Sequence, residues 1–381
     1  MVSHRTLFAA LVLCLAAFPA TAVDHVFDSE TGRIRVVTVV QGLDRPWGLD
    51  FLPGGQMIVT EKPGRLRIVD TDGKLSAPIA GVPPVDDRGQ GGLLDVTLHP
   101  DFARNRLVYL SYAEPGEDDA NGTAAARGRL SEDGTRLTDV TVVFRQEPKA
   151  RSTLHFGSRI VFDGNGLMYV TMGERSFDRY RDQAQDLRSL LGKVVRLTDD
   201  GRVPPDNPFV GRVDARPEIW SYGHRNVQGA AIDPRTGKLW TIEHGPRGGD
   251  EINIPEPGRN YGWPVVSHGV NYSGTPVGSG LKSAPGLEDP IQTWTPVIAP
   301  GGMTFYTAGL FPRWQGNLLV GGLVAQAVVR LELDGNRVVH EERLFRSLGQ
   351  RIREAVVGPD GAVYAITDEI RGEIWRIVPA E

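Results

Sequence analysis

Arg159-Ile-Val-Phe162, then Asp163-Gly-Asn-Gly166, then Leu167-Met-Tyr-Val-Thr171 reads as an apolar strand, a turn and a second apolar strand. Both runs are too short for helices, and the turn residues between them supply the positive φ and side-chain capping that a tight reversal needs. The same plan returns at Trp47–Phe51 with Met57–Thr60, and at Leu93–Leu98 with Leu107–Leu110. It returns again at Gly229–Ile232 with Leu239–Ile242, at Met303–Tyr306 with Asn317–Val320, and at Ala355–Val357 with Val363–Ile366. Six copies of one hairpin are a repeat architecture. The intervals leave room for two further strands per copy, such as Leu66–Val69, Val194–Leu197 and Ala327–Leu331. Hairpins of this size cannot bury both faces alone, whereas blades packed around an axis bury one another. The expectation is therefore an all-β, six-bladed β-propeller with four-stranded blades, a β-sandwich with coincidental repeats being the alternative. The strand Ile34–Val40 is expected to join the last blade beside Glu373–Val378 and close the ring.

Ahead of the repeats, His4 and Arg5, an apolar run from Leu7 to Phe18, and Ala20-Thr21-Ala22 have the form of a secretory signal. The expected division is a signal peptide over 1–22 and a single propeller domain over 23–381, exported to the periplasm or secreted. Cys14, the sole cysteine, lies within the apolar run, so the mature chain would hold neither disulfides nor cysteine metal sites. Removing residues 1–22 takes away one arginine and no acid, moving the formal charge from −5 to −6. An acidic chain without a basic block argues against nucleic acid as a partner, and no later apolar stretch is long enough to span a bilayer.

In an antiparallel hairpin the start of the first strand and the end of the second share an edge, so residues flanking each copy should line one face of the ring. Before the copies stand Gln90, His155, His224-Arg225-Asn226 and Arg351, with Arg353 inside the last; after the second strands come Glu61, Tyr112, Glu174, His244 and Asp368. This collects a base, guanidinium groups and carboxylates at one axial pocket. His155 and Glu174 flank the same hairpin, an arrangement in which a carboxylate can hold one imidazole nitrogen and leave the other as a proton acceptor. A histidine tied structurally to a blade edge is the plainer reading of that pair. His244-Gly-Pro-Arg-Gly-Gly-Asp-Glu251 and Gly258-Arg-Asn-Tyr-Gly-Trp-Pro264 combine sharp turns, free carbonyls and carboxylates, which suits a hard cation such as calcium as well as a solvated loop. Gly89-Gln-Gly91 leads into a strand without completing a dinucleotide fingerprint, and no phosphate loop, zinc helix or nucleophile elbow occurs.

Several longer motifs complete the pattern: Gly89–Val96 with His99-Pro-Asp-Phe102, His155-Phe-Gly157, Trp220–Asn226, Glu243–Glu251, Asn260–Pro264, Ser267-His-Gly269 with Asn271–Gly274, and Gly349–Arg353. With these the chain resembles the soluble aldose sugar dehydrogenases of the glucose/sorbosone dehydrogenase family over nearly all its mature length. The resemblance implies a six-bladed propeller carrying pyrroloquinoline quinone (PQQ) and calcium, and hydride transfer from the C1 hydroxyl carbon of an aldose to the quinone. It implies His155 as general base, Glu174 as its orienter and Arg225 as stabiliser of charge on the reduced quinone. It further implies Gln90, Arg225, Asn226, His268, Tyr272, Arg351 and Arg353 as cofactor or substrate contacts. The carbonyls of Gly245 and Pro246 would bind a calcium that touches the cofactor, and Glu251 with the main chain of Tyr261 a second, structural calcium. One position departs from the family: Gly321-Gly-Leu323 is followed by Val324 where a lysine is common. The cofactor would lose a cationic partner there, with Gln326 or the backbone as a substitute. A non-catalytic propeller that binds a saccharide or protein, and a calcium-dependent lactonase, are the competing functions. The sugar, the electron acceptor and the choice between monomer and small homo-oligomer are not written in these residues.

Overall fold

The computed structural model describes residues 22–380, so the expected signal segment, apart from Ala22, lies outside the described residues. Six antiparallel sheets follow one another along the chain. Their innermost strands are Pro46–Phe51, Leu93–Leu98, Gly157–Phe162, Val227–Ile232, Pro300–Phe305 and Ile352–Val357, and each packs on the next until the sixth meets the first. The chain is thus a six-bladed propeller, and blades 1 to 6 are numbered here in that order.

Blades 2 to 5 have four strands each, as expected, but blades 1 and 6 do not. Blade 1 has three strands: the chain after Val69 returns along its edge with a bridge at Leu75 and hydrogen bonds from Ser76 and Ile79, but without a continuous fourth strand. Blade 6 has five, since Gly32–Leu43 pairs with the C-terminal strand Gly372–Pro379 and Asp24–Ser29 adds outside it. N- and C-terminal strands in one sheet close the ring.

Between successive blades lie apolar clusters. Ile58, Leu66 and Ile68 of blade 1 pack with Val96, Val108 and Leu110 of blade 2, and Trp240 and Ile242 of blade 4 with Phe305 and Val320 of blade 5. Near the axis the inner strands converge so closely that side chains give way. A Cβ on Gly301 would collide with the Arg353 carbonyl of blade 6, and one on Gly48 would lie 2.8 Å from the Val96 nitrogen of blade 2. At the axis itself Arg159 donates to Asp95 at 2.6 Å and to Glu354, tying blades 2, 3 and 6 together. Burial, with Asp95 nearby, raises Glu354 to about 8 against the pull of Arg159.

Every inner strand carries a register shift near its start. Bulges there bend the strand and re-aim the preceding side chain. The six positions at which each hairpin begins to pair are equivalent: Pro46 with Glu61, Leu93 with Tyr112, Gly157 with Met172, Val227 with Glu243, Pro300 with Gly322, and Ile352 with Thr367.

Candidate functional site

One residue outward from five of those six pairs, all but that of blade 2, residues line an axial hollow of about 380 Å³. From the first strands come Arg45, Phe156, Asn226, Ala299 and Arg351; from the second strands come Lys62, His244, Leu323 and Asp368. Side chains alternate along a strand, so a shift of one residue changes the face completely. Glu61 and Tyr112 were expected on this face and are not there. Glu61 is buried against Arg65 at 2.8 Å, and Tyr112 packs in the cluster between blades 1 and 2. His224 also turns away, held between Glu243 at 2.9 Å and Ser221 at 2.8 Å and stacked on Tyr261.

The hollow is apolar below and cationic at its wall. Trp47, Leu94, Phe156 and Leu323 line it together with Arg45, Lys62, Arg351 and Arg353, against two carboxylates, Asp368 and Glu369. Arg159 lies under the Trp47 ring, 4.5 Å from its centroid, so the axial cluster supports this floor. Arg351 and Arg353 share Asp368, each with a 2.9 Å bond, and Arg353 also donates to Gln228 at 3.0 Å. Burial would raise Asp368, but the two guanidinium groups outweigh it and hold the acid at about 2. Two cations on one carboxylate leave positive charge for an anionic ligand.

Gln90 lines the same hollow and its Oε1 accepts the backbone N–H of His155 at 2.8 Å. His155 is buried, and its Nδ1 lies 2.6 Å from Glu174 Oε2. A carboxylate only accepts, so Nδ1 carries the proton and Nε2, which has no hydrogen-bonding partner among the described residues, is the basic nitrogen. Burial, aided by Arg225, lowers the imidazole below its ordinary value against the opposing effect of Glu174. Burial pushes Glu174 the other way, but His155, Arg225 and the Ser176 amide outweigh it and keep the carboxyl below its usual range. The pair is a neutral imidazole on an ionised carboxylate.

Beyond His155 opens a second cleft of about 350 Å³, lined by Glu174, Arg181, Arg225, Trp263, Asn271, Tyr272 and Thr275. Arg225 spans the gap: its Nη1 donates to the carbonyls of His244 at 2.9 Å and Gly245 at 2.6 Å, and its Nη2 lies 3.5 Å from the Tyr272 hydroxyl. Arg225 Nε is buried without a partner among the described residues. Glu174, Arg225 and Tyr272 therefore gather around this cleft, with His155 behind Glu174, and Gln90, Asn226, Arg351 and Arg353 line the hollow.

His268 stands elsewhere. It lines a narrow cavity of about 20 Å³ with Gly245, Pro246, Glu243, Glu251 and Tyr261, its Nε2 buried and unpartnered among the described residues. The residues expected to hold metal thus share one space large enough for a single small occupant. Asn253 Nδ2 bridges Glu243 at 3.2 Å and Glu251 at 3.1 Å, while Asn253 Oδ1 is buried with no donor. The buried Glu243 and half-buried Glu251 line this cavity and suit a hard cation, and Asn253 lies against both of them. Among the described residues no three His, Cys, Asp or Glu side chains converge as a metal cluster, so main-chain oxygens would have to complete the shell. One of them, Gly245 O, is already engaged by Arg225.

Lys62, Trp47, Arg45, Gln228 and Glu369 are among the lining residues that sequence reasoning passed over. Lys62 was findable, since it follows the second strand of blade 1 where His244 follows that of blade 4.

A six-bladed ring with clustered arginines in its axial hollow, and a carboxylate-held histidine tied to that hollow through Gln90, fits the sugar-dehydrogenase class of propeller, and the Glucose / Sorbosone dehydrogenase family matches residues 43–376. The chain belongs to that family. It is 48% identical over 349 residues to aldose sugar dehydrogenase YliI of Escherichia coli, covering 91% of this chain and 93% of that protein. The apo crystal structure of the soluble aldose sugar dehydrogenase from Escherichia coli is 47% identical, with a TM-score of 0.88 over 91% of this chain and 100% of that one. The PQQ-bound aldose sugar dehydrogenase from Streptomyces coelicolor is 29% identical, with a TM-score of 0.73 over 95% and 100%. Among the described residues no helix is long and apolar enough to cross a membrane.

Proposed function

We propose that this chain is an exported oxidoreductase that converts the C1 hydroxyl of aldose sugars to the lactone, using PQQ and calcium and passing electrons to a further acceptor. The observation that carries the reading is the buried His155–Glu174 pair with a free basic nitrogen: Gln90 of the cationic hollow holds the His155 amide, and Glu174 lines the polar cleft. The likeness to aldose sugar dehydrogenases, one of them PQQ-bound, supports it.

The hollow fits a planar polyanion. Its volume lies in the range of cofactor pockets, about 300–1,000 Å³, its floor offers Trp47 and Phe156, and its wall offers Arg351, Arg353, Asn226 and Gln90. When bound there, the quinone supplies the two-electron acceptor for the hydride. The chain's own work is to place the sugar and move the proton. His155 Nε2 takes the C1 hydroxyl proton, and Glu174 fixes the ring and stabilises the imidazolium that forms. Arg225 offers a fixed positive charge where negative charge develops, without reorganisation. Tyr272, Asn271 and Thr275 offer hydroxyl and amide groups to the sugar in the adjoining cleft. Gly245, Pro246, Glu251 and Tyr261, with His268 beside them, are the groups that would hold calcium, which in this role polarises a bound carbonyl as a Lewis acid.

The test is reconstitution: protein incubated with PQQ and calcium should reduce an artificial dye when glucose or another aldose is added. No dye reduction across a panel of aldoses would contradict the proposal.

A further inference from the structure

Val324 lies in the wall of the axial hollow and offers it no charge. Gln326 does not replace the missing lysine: its side-chain nitrogen donates to the Gly349 carbonyl at 3.0 Å, and it does not line the hollow. Lys62 does line it, entering from blade 1 at the position that His244 and Asp368 occupy in blades 4 and 6. The residue is 9% exposed, and the one hydrogen bond of its side chain among the described residues runs from Nζ to the Gly89 carbonyl at 2.9 Å. An ammonium has three donors, so two stay unused. Among the described residues Lys62 forms no ion pair, and nearby Asp368 is taken up by Arg351 and Arg353. Burial lowers Lys62 to about 8, and neighbouring Arg353 adds to this. A buried cation with spare donors and no counter-ion is costly unless an anion comes to it.

Taking the quinone reading of this hollow as its basis, we propose that Lys62 is the cation that meets a carboxylate of bound PQQ, in place of the fifth-blade lysine that Val324 supplants. Blade 1 then supplies the charge that blade 5 lacks. Because both positions line one hollow, a lysine at either should serve, and the two should be redundant rather than additive.

The experiment is equilibrium binding of PQQ to apo protein with calcium present, followed by fluorescence quenching, without turnover. K62Q is the main variant because its amide can keep the Gly89 bond, and its thermal midpoint should match the wild type. K62Q should weaken PQQ binding about 10- to 100-fold, and K62Q/V324K should recover most of the loss. V324K alone, at an exposed position where folding is not at stake, should tighten binding less than about threefold. Wild-type binding with K62Q within threefold of it would overturn the role of Lys62 and leave the quinone reading standing. A gain of tenfold or more from V324K alone would also overturn it, since the carboxylate would then have stood unmet. Failure of the wild type to bind PQQ at all would overturn both.

Discussion

Glu174→Gln isolates the charge behind His155. In the wild type a single oxygen, Oε2, accepts from His155 Nδ1 at 2.6 Å and from the Ser176 amide at 2.8 Å, and no described donor reaches Oε1. Glutamine can put its carbonyl oxygen where Oε2 stands and its amino group where Oε1 stands, keeping both bonds. What disappears is the negative charge, at a side chain 1% exposed. A charge-assisted hydrogen bond exceeds a neutral one by about 1.5 kcal/mol, and the Coulomb support of an imidazolium about 4 Å away adds at most about 4 kcal/mol at an effective dielectric of 20. Taking about 2–4 kcal/mol as lost from the proton-transfer step, kcat should fall about 30- to 1,000-fold. PQQ affinity should stay within about threefold, because Glu174 does not line the cationic hollow. The assay is dye-linked steady-state kinetics at saturating sugar with reconstituted protein, alongside a PQQ titration. A kcat within twofold of wild type, with PQQ binding intact, would refute the view that Glu174 acts through its charge on the base.

Removing the base itself, in H155Q, should lower kcat about 10²- to 10⁴-fold without shifting the thermal midpoint by more than a few degrees. Because burial lowers His155 and the neutral ring is the working form, kcat/KM in the wild type should be flat near neutrality and fall only as pH drops below about 6.5; a profile still rising above pH 7 would contradict this. R159M leaves Asp95 and Glu354 buried without their cation and should cost about 3–5 kcal/mol in urea unfolding, against no change if the axial cluster is idle. Calcium should raise the thermal midpoint of the wild type and chelation should reverse it, whereas E251Q should respond much less, as differential scanning fluorimetry would show.

The ring was legible because each hairpin declares itself twice, once in its apolar strands and once in its Asp/Gly/Pro turn; the third copy is read at Arg159–Phe162 and observed at Gly157–Phe162. Blades 1 and 6 were less so. Strand count depends on whether a later segment pairs continuously with a free edge, and the stretch after Val69 makes only scattered bonds through Leu75, Ser76 and Ile79, whereas Asp24–Ser29 adds to blade 6. Site residues were found by type at the right edge, but alternation decides which of two neighbours faces the axis: Glu61 was taken for the inward residue where Lys62 is. His268 and Tyr272 lie in the long connection between Asp250–Asn253 and Gln292–Trp294. No repeat register exists there, so nothing in the pattern could assign them to separate cavities.

The central claim is that a quinone held in the axial hollow is reduced by an aldose whose proton goes to His155. Its most direct test is the absorption spectrum of PQQ-reconstituted protein before and after aldose is added, with no other acceptor present. The account predicts that the oxidised quinone bands give way to those of the reduced form in wild type and persist in H155Q over the same interval. Bound quinone whose spectrum is unchanged in the wild type by every aldose tried would contradict it.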